Sequence, residues 1–303
     1  MPRIVSLIAS ATEIVHALGR TADQVGRSHE CDFPAEVAAL PVCTRPRIPV
    51  DGTSAEIDRL VKAAAVANAL SIYEVLDGVL EQLQPTHILT QTQCEVCAVS
   101  LADVERSVAA RLASRPRIVS LAAASLEGIW DDVRRVAAAL ELADGGGTAV
   151  AAMRRRMSEI AGGVAALPRR RVVCLEWLEP LMAAGNWMPE LVEMAGGVNL
   201  LSAVGLHSPP ITWEQLAAAD PDVIVAAPCG FDLDRTRREL YWLTGRPGWS
   251  RLRAVREARV YIADGNRYFN RSGPGVVETL AILAEVLHGT GARFRGSGWL
   301  PVL

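Results

Sequence analysis

Pro2-Arg3-Ile4-Val5-Ser6-Leu7 recurs letter for letter at Pro116–Leu121, and a relative, Arg171-Val172-Val173-Cys174-Leu175, follows later. Each is a short β-branched run of the kind that starts or continues a parallel sheet. A second echo pairs Leu83–Thr90 (LQPTHILT) with Ala219–Ala226 (ADPDVIVA), where a helix end and a proline lead into a buried strand and a cysteine follows soon after. Two lobes of similar plan, with strands alternating with helices in each, produce this pattern. The fold class expected is α/β: two lobes with parallel sheets flanked by helices.

Composition agrees. The 303 residues are 50% hydrophobic but only 5% aromatic, the Ala-, Val- and Leu-rich balance that buried parallel strands under alanine-rich helices require. Net charge is −3, and outside Arg154–Arg156 and Arg169–Arg171 the basic residues are scattered, so no nucleic-acid footprint exists. Asp144-Gly145-Gly146-Gly147 reads as a flexible stretch, after which Thr148 opens a helical pattern stopped by Pro168, with Val150, Met153, Met157, Ile160, Val164 and Leu167 at helical spacing. The division expected is an N-terminal lobe 1–143, a bridging helix 144–168, a C-terminal lobe 169–290 and a flexible glycine-rich tail 291–303. Further helices are expected at Ala11–Leu18, Ser54–Val66, Leu101–Leu112, Ser125–Leu140, Pro189–Ala195, Trp213–Ala218, Leu233–Leu243 and Gly275–Leu287.

The opening MPRIVSLIASATEIVHALG lacks a long apolar region and a cleavage site, and no stretch approaches the roughly 20 apolar residues of a membrane span. A non-secreted, cytoplasmic chain is expected, and its six cysteines are then free thiols or metal ligands rather than a disulfide framework.

Ligands of open parallel sheets bind outside the carboxyl ends of the strands. Cys31, Cys94, Cys97 and Cys229 all follow short apolar runs, and a Cys-x-x-Cys turn with two distant cysteines has the ligand count of a zinc site or iron–sulfur cluster. Small buried thiols, or a redox pair at Cys94 and Cys97, are the alternatives. Cys43 and Cys174 read as core or loop residues. His29 and Glu30 beside Cys31 offer an imidazole and a proton-transfer group, or a structurally bonded histidine. Glu176 and Glu190 flank Trp177 and Trp187 as an acidic pair, although Glu190 after Pro189 also suits a helix start. Asn270 and Arg271 stand before another helix start, where they could hold an anionic or amide group. Phosphate-loop, dinucleotide, zincin and serine-hydrolase motifs are absent, which removes support for those chemistries.

The chain resembles the cobalamin-binding branch of the class III periplasmic-binding-protein superfamily. The likeness covers nearly the whole chain. It rests on Ile4–Leu7 with Ser10-Ala11-Thr12-Glu13 and Gly19, on Ser28-His29-Glu30-Cys31-Asp32 and Pro34, on Gln91–Val99, and on Leu175-Glu176-Trp177 with Pro180. Gly185, Trp187–Glu190, Ala195–Gly197, Pro228–Phe231, Phe269–Arg271 and Gly273-Pro274 complete it; Gly275 departs, standing where related sequences carry arginine. The resemblance implies two rigid α/β lobes joined by one long helix, with cobalamin, haem or an iron-siderophore as ligand between the lobes. A corrinoid pocket needs aromatic walls and a few amide or hydroxyl partners, and Trp177, Trp187, Phe231, Tyr268 and Phe269 are candidate walls, with Trp187 and Phe269 as alternative plugs of the lobe contact. His207, in a loop after Gly205-Leu206, is a candidate axial ligand. The function expected is therefore a small-molecule-binding protein for cobalamin or a similar tetrapyrrole or metal chelate, with an ABC importer a doubtful partner for a chain without an export signal. The alternative is an enzyme on the same scaffold using cysteine-held zinc or an iron–sulfur cluster.

Overall fold

The computed structural model describes residues 1–303 apart from 67–71, 93–100, 102–103, 107, 109–111 and 303. Two compact units emerge. The first comprises Met1–Gly52, Glu56–Ala123 and Glu127–Ala152; the second comprises Thr53–Ala55, Ala124–Leu126 and Met153–Leu303.

In the first unit the repeated hexapeptides supply two strands of one parallel sheet. Strands β1 (Ile4–Ser6), β2 (Gln24–Arg27), β5 (His87–Gln91) and β6 (Arg117–Leu121) lie in the order β2-β1-β5-β6. A short antiparallel ribbon joins β3 (Thr44–Pro46) to β4 (Tyr73–Val75). Helices α1 (Ala9–Ala17), α2 (Ser54–Val66) and α3 (Asp77–Leu83) lie between the strands, and α4 (Leu126–Ala139) and α5 (Gly145–Val164) follow β6. Val5, Leu7, Ile88, Leu80 and Val104 form the core. Half of the expected helix Leu101–Leu112 lies outside the described residues.

Gly145–Gly147 form the first turn of α5 rather than a flexible stretch. Gly146 explains this: a Cβ there would stand 2.9 Å from both Arg134 Cα and Ala137 Cβ, so the glycine lets α5 lie directly on α4. Close helix contact offsets the glycine's helix cost of about 1 kcal/mol.

The second unit carries a mixed sheet of β7 (Arg170–Leu178), β8 (Leu181–Ala183), β9 (Gly197–Asn199), β10 (Val223–Ala226), β11 (Val260–Ala263) and β12 (Trp299–Pro301), ordered β12-β11-β10-β7-β8 with β9 also on β7. Strands β7, β9, β10 and β11 run parallel; β8 and β12 are antiparallel. Every residue of β10 is buried, as a strand covered on both faces must be, and each such Val or Ile contributes about 1.5–3 kcal/mol. Helices α6 (Met188–Met194), α7 (Trp213–Ala219), α8 (Leu233–Glu239) and α9 (Val276–His288) flank the sheet. The second echo is real: Gln84 and Asp220 both end their helices in the left-handed region, each is followed by proline, and β5 and β10 begin within three residues.

The tail departs from its expected flexibility. β12 pairs with β11, Phe294 and Trp299 are buried, and the buried Glu285 carboxylate accepts from Trp299 Nε1 at 2.8 Å and Arg293 N at 2.9 Å. Glycines provide the turns; aromatic burial and one carboxylate fix the segment.

Candidate functional site

In each unit the strand order reverses at one place, and in open α/β sheets the crevice at such a reversal holds ligands. In the second unit β9 lies on one side of β7 and β10 on the other, so the reversal falls between the carboxyl ends of β7 and β10. Glu176 and Trp177 stand at the end of β7, and Pro228–Phe231 leave β10. Trp177 and Phe231 meet with ring centroids 5.3 Å apart and planes tilted by 59°; the Arg235 guanidinium sits over the Phe231 ring, 3.8 Å from its centroid. Phe231 is buried, whereas Trp177 is half-buried and is fixed by its indole Nε1, which donates to Ser54 O at 3.2 Å and Glu179 O at 3.1 Å. The result is an apolar platform held in one rotamer.

A polar pair adjoins it. Ser208 Oγ donates to Glu176 Oε2 at 2.7 Å while accepting from Gly185 N at 2.9 Å. Gly185 is required there, because a Cβ would meet Leu206 O at 2.5 Å and Ser208 N at 2.9 Å. Burial pushes the Glu176 carboxyl above its ordinary range, against the opposing pull of the Ser208 hydrogen bond and the charge of His207. His207 lies on the exposed Ala203–His207 loop, its Nδ1 near Ser208 O.

The other expected residues have the following partners. Asn270 Nδ2 donates to Ala227 O at 3.0 Å and Gly265 O at 2.9 Å, tying the turn after β11 to the end of β10. Arg271 is buried and reaches Asn266 Oδ1. Trp187 and Phe269 are buried, and among the described residues Trp187 Nε1 has no hydrogen-bond acceptor. Tyr268 is half-buried, edge-on to Phe294 at 5.6 Å. Glu190 serves as a helix-start acceptor: its Oε2 takes the amide of Leu126, the first residue of α4, at 2.8 Å.

In the first unit the reversal falls between β1 and β5. Gln93–Val99, directly beyond β5, include Cys94 and Cys97, and both cysteines lie outside the described residues. Beyond β2, His29 Nδ1 shares a hydrogen bond with Thr44 Oγ1 at 2.8 Å, its ring lies 5.0 Å from that of Tyr73, and Tyr73 donates to Glu30 Oε1 at 3.1 Å. Burial, aided by the Arg27 charge, holds the His29 imidazole below its ordinary value. The unfolded chain therefore takes up this proton first as pH falls below about 6.5, so acidification costs the fold stability. His29→Gln is expected to shrink the loss of stability between about pH 7 and pH 5 in urea unfolding; an unchanged loss would show that His29 does not carry it.

Cys31 sits in a small apolar group with Ala9 and Val37 and accepts a hydrogen bond from Thr12 Oγ1 at 3.0 Å. Cys229 is half-buried in the second unit. Among the described residues no group of three or more His, Cys, Asp or Glu side chains is arranged to hold a metal ion. Burial pushes the Cys43 and Cys174 thiols up to about 12, which fits their expected core roles. Both should stay unmodified by iodoacetamide at about pH 8 in the native protein and react after denaturation, read by peptide mass spectrometry.

Three contributors escape sequence reading. Ser208 reaches Glu176 across 32 positions, and Thr44 and Tyr73 reach His29 and Glu30 through the β3–β4 pairing; none has a local signature. Arg235 could have been suspected from its place four residues beyond Phe231 at the start of α8.

The fold has close counterparts among solved structures. A periplasmic heme-binding protein from Pseudomonas aeruginosa superposes with a TM-score of 0.74 at 20% identity, covering 99% of this chain and 98% of that one. The periplasmic vitamin B12 binding protein of Vibrio cholerae gives 0.63 at 18% identity, covering 94% and 96%. An ABC transporter substrate-binding protein from Listeria monocytogenes EGD-e gives 0.70 at 17% identity, covering 95% and 99%. At these identities the likeness establishes the fold alone. No curated protein matches the chain. Residues 4–266 match the family described as periplasmic binding protein, with the strand-end surfaces of both units inside the matched span, and the chain belongs to that family.

Proposed function

We propose that the chain is a substrate-binding protein for a corrinoid or similar tetrapyrrole-sized metal chelate, which rests against the carboxyl-end surface of the second unit. The observation that carries this reading is the Trp177–Phe231 platform at the strand-order reversal, bordered by the Glu176–Ser208 pair. A flat apolar ring face with polar substituents asks for that combination of rigid aromatic surface and few oriented polar groups. Family membership supports a binding role, and the vitamin B12 and heme binders of the same fold favour this ligand class. Likeness to an ABC transporter substrate-binding protein favours a transporter as partner, which the sequence left doubtful. The enzyme alternative, with zinc or a cluster on cysteines, has no ligand group among the described residues to carry it.

Titration of the protein with cyanocobalamin, haemin and a ferric hydroxamate, followed by the ligand absorbance band and by equilibrium dialysis, tests the reading. Saturable one-to-one binding of cyanocobalamin or haemin supports it. Binding of the hydroxamate alone, or of none of the three, overturns the ligand class.

A further inference from the structure

The opposite end of the second unit's sheet holds an unassigned feature. A cavity of about 280 Å³ opens at the amino ends of the parallel strands, lined by Leu167, Pro168, Arg170, Arg259, Tyr261 and Leu287 among others. Arg170 begins β7 and Arg259 immediately precedes β11, so parallel pairing across β10 brings both guanidinium groups to the same end. Their charge is under-matched. Arg170 makes no side-chain hydrogen bond or ion pair among the described residues, and its Nε is inaccessible to water and without an acceptor. Among the described residues the Arg259 guanidinium meets the Glu257 carboxylate alone, at 3.2 Å, while its Nη1 likewise lacks a properly directed hydrogen bond. His288, on the same wall, has its Nε2 engaged by Ala195 O at 2.8 Å.

A buried guanidinium nitrogen without an acceptor is a standing cost, and proteins keep such donors where a ligand supplies the acceptor. Two forks facing one cavity match an oxyanion, which each fork can take through paired N–H donors. Beside His288, the lining carries the Tyr261 ring and the aliphatic side chains of Leu167, Val286 and Leu287, so a bare ion would leave that apolar part unused. The volume lies just below the roughly 300–1,000 Å³ of drug-sized ligand sites. We propose that this cavity is a second ligand site, at the far end of the strands from the Trp177 surface, which takes a small organic oxyanion, a phosphate or carboxylate on a compact apolar body, between Arg170 and Arg259.

Isothermal titration with phenyl phosphate and with benzoate tests this on the full chain. Saturable binding at one site is expected for at least one of them, with phenyl phosphate the tighter if the site takes phosphates and benzoate the tighter if it takes carboxylates. Arg170→Gln and Arg259→Gln should each weaken it at least tenfold. Arg155→Gln, which removes the same charge from the exposed face of α5, should not change it. Cyanocobalamin binding by Arg170→Gln should match the wild type, so the two sites are tested separately. Should a substitution disturb folding, as circular dichroism would reveal, phenylglyoxal labelling of the wild type gives the same answer: Arg170 should be protected by the bound anion. No saturable binding of either probe, binding unaffected by both substitutions, or labelling of Arg170 indifferent to the probe would overturn the site.

Discussion

Gly265→Ala is expected to destabilise the protein by about 3 kcal/mol, among the larger effects available to a single added methyl group. Gly265 opens the turn Gly265–Phe269 that follows β11, and the turn lies flat against the chain leaving β10. A Cβ on residue 265 would fall inside contact distance of Pro228 O and stand 2.7 Å from Ala227 O and 2.8 Å from Ala227 C. All three atoms are backbone, at the end of a strand buried on both faces, so no side chain can swing aside. The turn must move, and moving it breaks the Asn270 bridge, whose amide donates to Ala227 O and Gly265 O at once. Urea unfolding would read the loss as a lower midpoint with unchanged slope. Gly162→Ala is the matched control. It lies in α5 with nothing within 4 Å of the added Cβ, so it should gain about 0.5–1 kcal/mol through helix propensity. A Gly265→Ala protein as stable as the wild type would mean that the junction between β10 and the turn is soft.

That junction marks where sequence reading stops. The strands β1, β6, β7 and β10 were legible because short β-branched runs bounded by turn residues suit strands buried in a parallel sheet. Helices such as Ser54–Val66 were legible because apolar spacing and flanking breakers are local properties. Asn270 was not legible. Its place before a helix start pointed to ligand binding, and the bracing it also performs depends on Ala227 O, 43 residues away. The glycine-rich tail misled for the same reason: composition registers the flexibility of Gly289, Gly291, Gly296 and Gly298, while the carboxylate of Glu285 that orders the segment is read as one more helix residue. Trp177 and Phe231 were picked out as candidates because both lie at strand ends in a chain poor in aromatics; that their rings meet depends on the β7–β10 pairing.

The platform those two rings make carries the largest expected effect on binding. Trp177→Ala should weaken cyanocobalamin or haemin binding by about 2 kcal/mol or more, roughly thirtyfold, measured by equilibrium dialysis so that loss of the indole's own fluorescence does not enter. The size follows from geometry. The Trp177 ring is pinned by two carbonyl acceptors and backed by Phe231, so little rotamer entropy is lost when a ligand stacks on it, and truncation removes both the contact area and the cover over Phe231. Trp177→Phe separates the components. It keeps an aromatic face over Phe231 but loses the indole donation to Ser54 O and Glu179 O, so it should retain most of the affinity, with a loss of about fivefold or less. Equal losses in the two variants would place the importance of Trp177 in its hydrogen bonds rather than its ring. Wild-type affinity in Trp177→Ala would move the ligand off this surface altogether, because Phe231 is buried and Trp177 presents the partly exposed ring at the β7–β10 reversal.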